Sequence, residues 1–329
     1  IIGGHFLVAT LKKLGKAMLI ILFGQFFITF IIVTFAIYLW LRDLSIALLF
    51  GVLATATAPA GTMAALHDCR AKGTFSTLTA TIVGLDDGLG IFLFAFVIAF
   101  VKFSLGGTFS IVAAVLAPLI EIFGALALGV VFGAVLSLAA KYIRRREETF
   151  IVVIAVVLLC AGLAKLLHLS LILACMTLGA IFINFSSSLA KTSYEILEGV
   201  IPPFYIVFFA LAGLQLRIDL LLVMGMMGVI YILSRTVGKV GGATLSSRIA
   251  KTEPTIQKYL GIALLSQAGV AIALACMTSV ELAGYGAPGR YLGALVITTI
   301  VAADVIFEII GPIGVRFAVT KAGESGKSE

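Results

Sequence analysis

Charged residues are scarce in this 329-residue sequence. Asp, Glu, Lys and Arg together make up 12% of it, hydrophobic residues make up 61%, and the mean hydropathy is +1.20. Because a typical soluble domain carries about 25% charged residues, this composition excludes an ordinary soluble protein. The apolar runs are long enough to cross a bilayer. The sequence therefore predicts a multi-pass membrane protein that is surrounded by membrane lipid.

Cysteine is also rare, and its spacing excludes two further classes of protein. The four cysteines lie in or beside apolar runs, without a CxxC pair or any other metal-ligand spacing. They are typical of small core residues and support neither a disulfide-stapled fold nor a zinc site. No cofactor is expected.

The apolar runs predict an all-α fold, because a backbone in hydrocarbon must satisfy its hydrogen bonds within each helix. Charged, Gly and Pro clusters divide the chain into about ten complete spans and one partial span. Since the first residue is Ile1 and the partial span stands at the start, we expect further residues before it. The partial span is 1–9, and the complete spans are 16–41, 44–67, 74–101, 109–140, 149–165, 169–187, 196–216, 219–247, 257–281 and 290–316.

Basic residues are divided unevenly between the two sides of these spans. Alternate connections collect sixteen Lys and Arg residues on one side and five on the other. The positive-inside rule therefore predicts a cytoplasmic C-terminus, with residues 318–329 as a solvated tail. The net charge of +7 is explained by these cytoplasmic flanks, so no nucleic-acid partner is expected.

The same order of parts occurs twice along the chain, in opposite predicted orientations. Each set has a plain helix, a helix interrupted by small residues, and a helix that bears an acid. The first set is 16–41, 44–67 and 74–101, and the second is 219–247, 257–281 and 290–316. Such an inverted repeat is typical of secondary transporters, which build a midplane site from discontinuous helices.

The two interruptions have a physical basis in the sequence. In segment 55–61, Pro59 removes a backbone donor and disfavours helical geometry at Ala58. In segment 266–269, a flexible Gly269 follows two polar side chains. Broken helices expose carbonyls and dipole ends that can bind ions. A kink that only improves packing is the alternative at both places.

Polar side chains inside the spans share a few depths. We counted residues from the cytoplasmic end of each span, at about 1.5 Å per residue. The central layer contains Asp86, Asp87, Asp304 and Arg235; Thr57 and Gln267 lie close to it; Lys239 and Glu308 form the next layer toward the cytoplasm.

An isolated charge at this depth costs roughly 2.5–3.5 kcal/mol, so these residues need partners or a use. Arg235 is the expected partner of one acid of the Asp86-Asp87 doublet, and the other acid can exchange a proton for a cation. Two structural alternatives stay open. Arg235 can pair with Asp304, and Lys239 with Glu308.

Five motifs resemble the Kef-type branch of the monovalent cation:proton antiporter superfamily over nearly the whole chain. They are ATATAPAGTMAALHDCRAKG at 54–73, LDDG at 85–88, SRTVGK at 234–239, SQAGVAIALA at 266–275 and EIIGP at 308–312. The resemblance implies an antiporter fold of about thirteen helices, two of them discontinuous and crossed, and a homodimer in a bacterial or archaeal inner membrane.

The resemblance also implies a domain organisation. Residues 1–15 would end a dimer-domain helix and loop, 16–101 and 219–317 would form the ion-transporting core, 102–148 the linker helix, 149–218 the dimerisation domain, and 318–329 the cytoplasmic tail.

Site residues follow from the same resemblance. Asp87 would be the ion-binding carboxylate, with Asp86 beside it and Thr57 at the crossing of the broken helices. This chain has Ala58 where many relatives carry an aspartate. Relatives that move net charge pair the first acid with a lysine, and the aligned residue here is Arg235, which cannot release its proton.

Taken together, the sequence predicts a secondary antiporter and not an enzyme. It would exchange a monovalent cation, Na⁺ first and K⁺ as the alternative, for protons at Asp87. A channel is less well supported, because no repeated carbonyl filter is present. An intramembrane aspartyl protease using Asp87 and Asp304 is the remote alternative, since it leaves Arg235 without a role.

Overall fold

The computed structural model describes residues 8–106, 111–140, 142, 146–167, 169, 171–186, 190, 193, 197, 207 and 218–326. Within these ranges every regular element is an α-helix, which confirms the all-α prediction. The helices are α1 Val8–Leu41, α2 Leu44–Thr55, α3 Pro59–Asp68, α4 Thr74–Ser104, α5 Ile111–Ala140, α6 Arg146–Leu166, α7 Leu171–Phe185, α8 Ile218–Ile249, α9 Pro254–Ala263, α10 Gly269–Leu282 and α11 Gly286–Lys321.

Among the described residues, five segments are long and apolar enough to cross a membrane. They are Gly15–Leu41, Thr74–Ser104, Phe123–Ala140, Glu148–Leu166 and Gly286–Lys321, and shorter apolar helices accompany them. The helix boundaries agree with most of the predicted spans within a few residues. Nearly all of the predicted span 196–216 and most of the partial span 1–9 lie outside the described residues.

Local sequence explains where several helices begin or bend. Gly15 has a φ of 64° and kinks α1, at the predicted boundary before residue 16. The Asp43 carboxylate caps α2 by accepting hydrogen bonds from the amides of Ser45 and Ile46 at 2.8 and 3.1 Å. Pro59 and Pro254 open α3 and α9, where the missing N–H has no intrahelical partner to lose.

The described helices form two compact units. One contains α5, α6 and α7; the other contains α1 from Leu14 onward, α2 to α4, and α8 to α11. In the first unit α5 packs on α7 through glycines: a β-carbon added at Gly129 would lie 2.5 Å from the Ala174 carbonyl oxygen. The larger unit contains the repeated order of parts, with α1, α2/α3 and α4 corresponding to α8, α9/α10 and α11.

The end of the chain contributes to the larger unit, contrary to the prediction of a solvated tail from 318 onward. Helix α11 continues to Lys321, and Glu324 caps the N-terminus of α4. Its carboxylate accepts hydrogen bonds from the amides of Phe75 and Ser76, both at 2.8 Å, and from the Ser76 hydroxyl at 2.7 Å. Gly73 has no side chain for this role, so the cap comes from a remote segment that the local sequence does not reveal.

Candidate functional site

The two predicted interruptions are real breaks, and they meet. Helix α2 ends at Thr55 and α3 begins at Pro59, while α9 ends at Ala263 and α10 begins at Gly269. The Ala58 amide donates a hydrogen bond to the Ser266 carbonyl at 3.0 Å, joining the two extended segments. Residues 55–58 and 263–268 are all buried. A helix break inside the unit thus frees backbone groups where water does not reach them.

Arg235 satisfies the carbonyls that the breaks leave free. From α8 its guanidinium donates to the carbonyls of Ala54 at 3.1 Å and Ala56 at 2.8 Å. It also donates to those of Leu265 at 2.7 Å and Ser266 at 3.3 Å. The Phe307 ring lies 4.3 Å from its central carbon. Arg235 therefore binds both broken helices, and its planar fork of five donors suits several acceptors at once.

Lys239, one turn along α8, is the cationic partner of the doublet. Its ammonium lies 2.8 Å from Oδ2 of Asp86, and both side chains are fully buried. It also donates to the Thr55 carbonyl at 2.6 Å and to the hydroxyl of Thr57 at 2.8 Å. The predicted pairing of the doublet with Arg235 is wrong, because depth counted along a helix axis ignores the reach of a lysine side chain.

Asp86 is fully satisfied by its surroundings. Besides Lys239, the Thr57 hydroxyl donates to its Oδ2 at 2.8 Å. The side-chain amide of Gln25 on α1 donates to its Oδ1. Asp86 thus has a cation and two neutral donors, a set of partners that stabilises an ionised carboxylate in a buried place.

Asp87 is the contrasting member of the doublet. It is fully buried, and neither carboxylate oxygen has a hydrogen-bond partner in the part of the chain that the structure describes. The Thr57 amide is near it but falls outside hydrogen-bond geometry. The two acids therefore differ in their surroundings even though they are neighbours in sequence: Asp86 is paired, and the oxygens of Asp87 are unpartnered among the described residues.

The structure does not form the predicted ion pairs of Asp304 and Glu308. Asp304 is 2% exposed, and its oxygens have no hydrogen-bond partner among the described residues. It does not form an ion pair with Arg235, whose four hydrogen bonds all go to carbonyls. Glu308 is exposed, and neither a hydrogen bond nor an ion pair joins it to Lys239, so that predicted pair is wrong.

Gln267 lies at the second break, as predicted, and supports the crossing. Its Nε2 donates to the Leu53 carbonyl at 2.9 Å, and its amide exchanges hydrogen bonds with the Tyr231 hydroxyl. Gln267 thus connects α8, α2 and the second break. It does not contact the doublet directly.

Gln25 and Tyr231 were missed by sequence reasoning. Both are neutral, whereas the partners predicted for the buried acids were charged residues. The signal for Gln25 was present: it is a lone amide in the apolar run Phe23-Gly-Gln-Phe-Phe27. A buried polar residue in such a run needs a hydrogen-bond partner.

Comparisons with known proteins agree with this fold. The family model for the transmembrane sodium/hydrogen exchanger matches residues 2–319. The chain is 29% identical to the Na⁺/H⁺ antiporter NhaP of Pseudomonas aeruginosa over 239 residues, which cover 68% of this chain and 52% of that protein. The chain thus spans about half the length of this curated relative.

Two solved structures of the sodium proton antiporter MjNhaP1 from Methanocaldococcus jannaschii are similar in fold. The structure at pH 8 has a TM-score of 0.79 and covers 99% of this chain and 83% of its own. A structure from an electron-microscopy map has a TM-score of 0.73, with 98% and 80% covered. Both are 17% identical to this chain. They establish the fold, an antiporter architecture with discontinuous helices, and family membership follows from the match over nearly the whole sequence: the chain belongs to the transmembrane sodium/hydrogen exchanger family.

Proposed function

We propose that this chain exchanges a monovalent cation, Na⁺, for protons, and that the cation and the proton compete for the Asp87 carboxylate. The observation that carries the proposal is the pair of unequal acids. Asp86 is neutralised by Lys239 at 2.8 Å, whereas the buried oxygens of Asp87 have no partner among the described residues. An unpartnered buried carboxylate is costly, and a bound proton or cation removes that cost.

The balance of buried charge supports a monovalent ion. Among the described side chains that are buried, three are acids, Asp86, Asp87 and Asp304, and two are bases, Arg235 and Lys239. Counted with all five groups ionised, the surplus is one negative charge. One proton or one monovalent cation neutralises it, whereas a divalent cation would leave a positive charge in its place.

The position of the doublet supports alternating access. Asp86 and Asp87 lie beside the meeting point of two broken helices, and Thr57, in the first break, contacts Asp86. Each break joins two short helices by only a few residues, and such segments can absorb changes in backbone angles. The ion would therefore bind where the two repeats meet, as in secondary transporters with discontinuous helices.

The partner of Asp86 also bears on charge movement. The sequence argued against movement of net charge, because it pointed to an arginine as the partner of Asp86. In the structure that partner is Lys239, and a lysine can release its proton. If Lys239 keeps its proton throughout, the charge count gives one proton per cation and no dependence on membrane potential. Release of the Lys239 proton on cation binding would make the exchange move net charge.

Assembly and orientation belong to the same proposal. We place the ion-transporting core in 16–101 and 219–317, the linker in 102–148 and the dimerisation domain in 149–218 of a homodimer in an inner membrane, with a cytoplasmic C-terminus. The separation of α5 to α7 from the other helices as a compact unit supports this division.

The test is transport by the purified protein in proteoliposomes. Gradients of Na⁺, Li⁺ and K⁺ are applied at two clamped potentials, and internal pH is recorded with a dye. We expect Na⁺-driven proton movement that Asp87→Asn abolishes, because an amide cannot carry a proton or balance a cation. Glu281→Gln is the control, since Glu281 is partly exposed and pairs with Lys102 at the protein surface.

Two results would contradict the proposal. Undiminished exchange by Asp87→Asn would exclude that carboxylate as the competing site. Exchange driven by K⁺ and not by Na⁺ would replace the cation and leave the site assignment intact.

A further inference from the structure

Gln25 bridges both members of the buried ion pair. Its Nε2 donates a hydrogen bond to Oδ1 of Asp86, and its Oε1 accepts one from the Lys239 ammonium at 3.0 Å. Gln25 is fully buried on α1. The orientation of its amide is fixed by chemistry, because an ammonium only donates hydrogen bonds and an ionised carboxylate only accepts them.

Glycines on α8 bring Gln25 close enough for this contact. A β-carbon added at Gly242 would lie 3.0 Å from the Cα of Gln25, and one added at Gly238 would lie 2.9 Å from the Cα of Thr29. These glycines are four residues apart and face the same side of α8. Small residues at this spacing let two helix backbones approach closely. Lys239 follows Gly238 directly, so the same close approach sets the Gln25–Lys239 distance.

We propose that Gln25 is a positioning residue that holds Asp86 in its ion pair with Lys239 and so leaves Asp87 alone to exchange the proton for the cation. The proposal rests on the proposed function and deepens it. Gln25 acts through Asp86 and Lys239, since it forms no hydrogen bond with Asp87. An amide can donate to the carboxylate and accept from the ammonium simultaneously without adding charge, as the Thr57 hydroxyl also does.

The test compares two variants at matched positions of α1. Gln25→Met has nearly the same volume, which limits the effect on packing. It removes the hydrogen bonds to Asp86 and Lys239, together with one from Nε2 to the Leu22 carbonyl at 3.3 Å in the same helix. Thr29→Val is the control, because Thr29 is buried one turn away, faces Gly238, and donates only to the Gln25 carbonyl. Na⁺-driven exchange is measured in proteoliposomes as a function of pH.

We expect Gln25→Met to move the pH of half-maximal exchange upward by about one unit, because the loss of a hydrogen bond to a charged group changes the proton affinity of that group roughly tenfold. The reason is that exchange requires an ionised Asp86, and the variant lacks one of the donors that stabilise it. Thr29→Val should keep the wild-type profile. Superimposable profiles for Gln25→Met and wild type, or equal shifts for both variants, would overturn the proposal.

A second variant, Gln25→Glu, keeps an acceptor for Lys239 but replaces the donor to Asp86 with a negative charge. Its carboxylate can accept from Lys239 but meets Asp86 with a like charge. We expect its exchange rate to fall at least about tenfold below that of wild type. A rate equal to wild type would overturn the bridging role.

A stability measurement separates this proposal from the proposed function. Thermal unfolding in detergent is compared for Gln25→Met, Lys239→Met and the double variant. The bridge predicts effects that are not additive, because both changes disrupt one network. Additive effects would overturn the role of Gln25 even if the protein exchanges Na⁺. Conversely, coupling without Na⁺ exchange by the wild type would support the bridge and contradict the proposed function.

Discussion

At the scale of single residues, the two acids of the doublet differ because of what surrounds them. Successive residues of a helix project about 100° apart, so Asp86 and Asp87 face different neighbours. Asp86 accepts hydrogen bonds from Gln25, Thr57 and Lys239. Asp87 accepts a hydrogen bond from none of these side chains. Identical side chains, adjacent in sequence, thereby have different surroundings, and the proposed function gives them the separate roles of a paired acid and an exchanging acid.

The ion pair itself leads to a prediction about stability. Lys239→Met should destabilise the protein by about 3–5 kcal/mol, because it leaves the charge of Asp86 buried without its cation. Thermal or denaturant unfolding in detergent measures this loss. The double variant Lys239→Met with Asp86→Asn should recover part of it, since the uncompensated charge is then gone.

Lys102→Met is the matched control for this prediction. Lys102 also pairs with an acid, Glu281, but both side chains are 32–40% exposed. A partly exposed pair of this kind contributes at most about 1 kcal/mol. Equal effects of Lys239→Met and Lys102→Met would show that burial of the Asp86–Lys239 pair has no energetic consequence.

Sequence reasoning assigned the wrong cation to the doublet. The depth count describes backbone positions along the helix axis. It carries no information on which way a side chain points or how far it reaches. Arg235 lies at the depth of the doublet and points to carbonyls, whereas Lys239 lies about one turn away and extends to Asp86.

At the scale of helices, the positions of the breaks are predictable from the sequence, whereas the side chains that bind the freed carbonyls are not. Pro59 and Gly269 mark the breaks in the sequence, because one lacks a donor and the other is flexible. The groups that bind the freed carbonyls come from α8, about 180 residues from the first break and 30 from the second. Only the packing of distant helices determines such contacts, so no local pattern could reveal them.

The cap on α4 gives a prediction at this scale. Glu324→Ala should speed amide hydrogen exchange at Phe75 and Ser76 and lower stability by about 0.5–2 kcal/mol, because it removes the acceptor from the first turn of α4. Peptide-level hydrogen exchange of the protein in detergent measures the effect.

Glu253→Ala is the control for the cap. Glu253 occupies the N-cap position of α9, but its side chain makes no capping hydrogen bond. Its removal should leave exchange at the start of α9 unchanged. Unchanged protection of Phe75 and Ser76 in Glu324→Ala would show that the tail contact does not stabilise α4.

At the scale of the whole molecule, the fold places a surplus negative charge where two repeated sets of helices meet. The broken helices provide the meeting point. Arg235 donates hydrogen bonds to their free carbonyls, and Lys239 neutralises one acid of the doublet. The remaining charge needs a mobile counterion. In this account, exchange follows from the charge balance of the buried core, and Asp87 is where the balance is completed.

Competition between protons and Na⁺ tests this account most directly. In proteoliposomes, the concentration of Na⁺ that gives half-maximal exchange is measured at several acidic to neutral pH values. If both ions occupy Asp87 in turn, this concentration rises as pH falls, approaching about tenfold per pH unit, while the saturating rate stays constant. A half-maximal concentration that is independent of pH, with only the saturating rate changing, would contradict a shared site at Asp87.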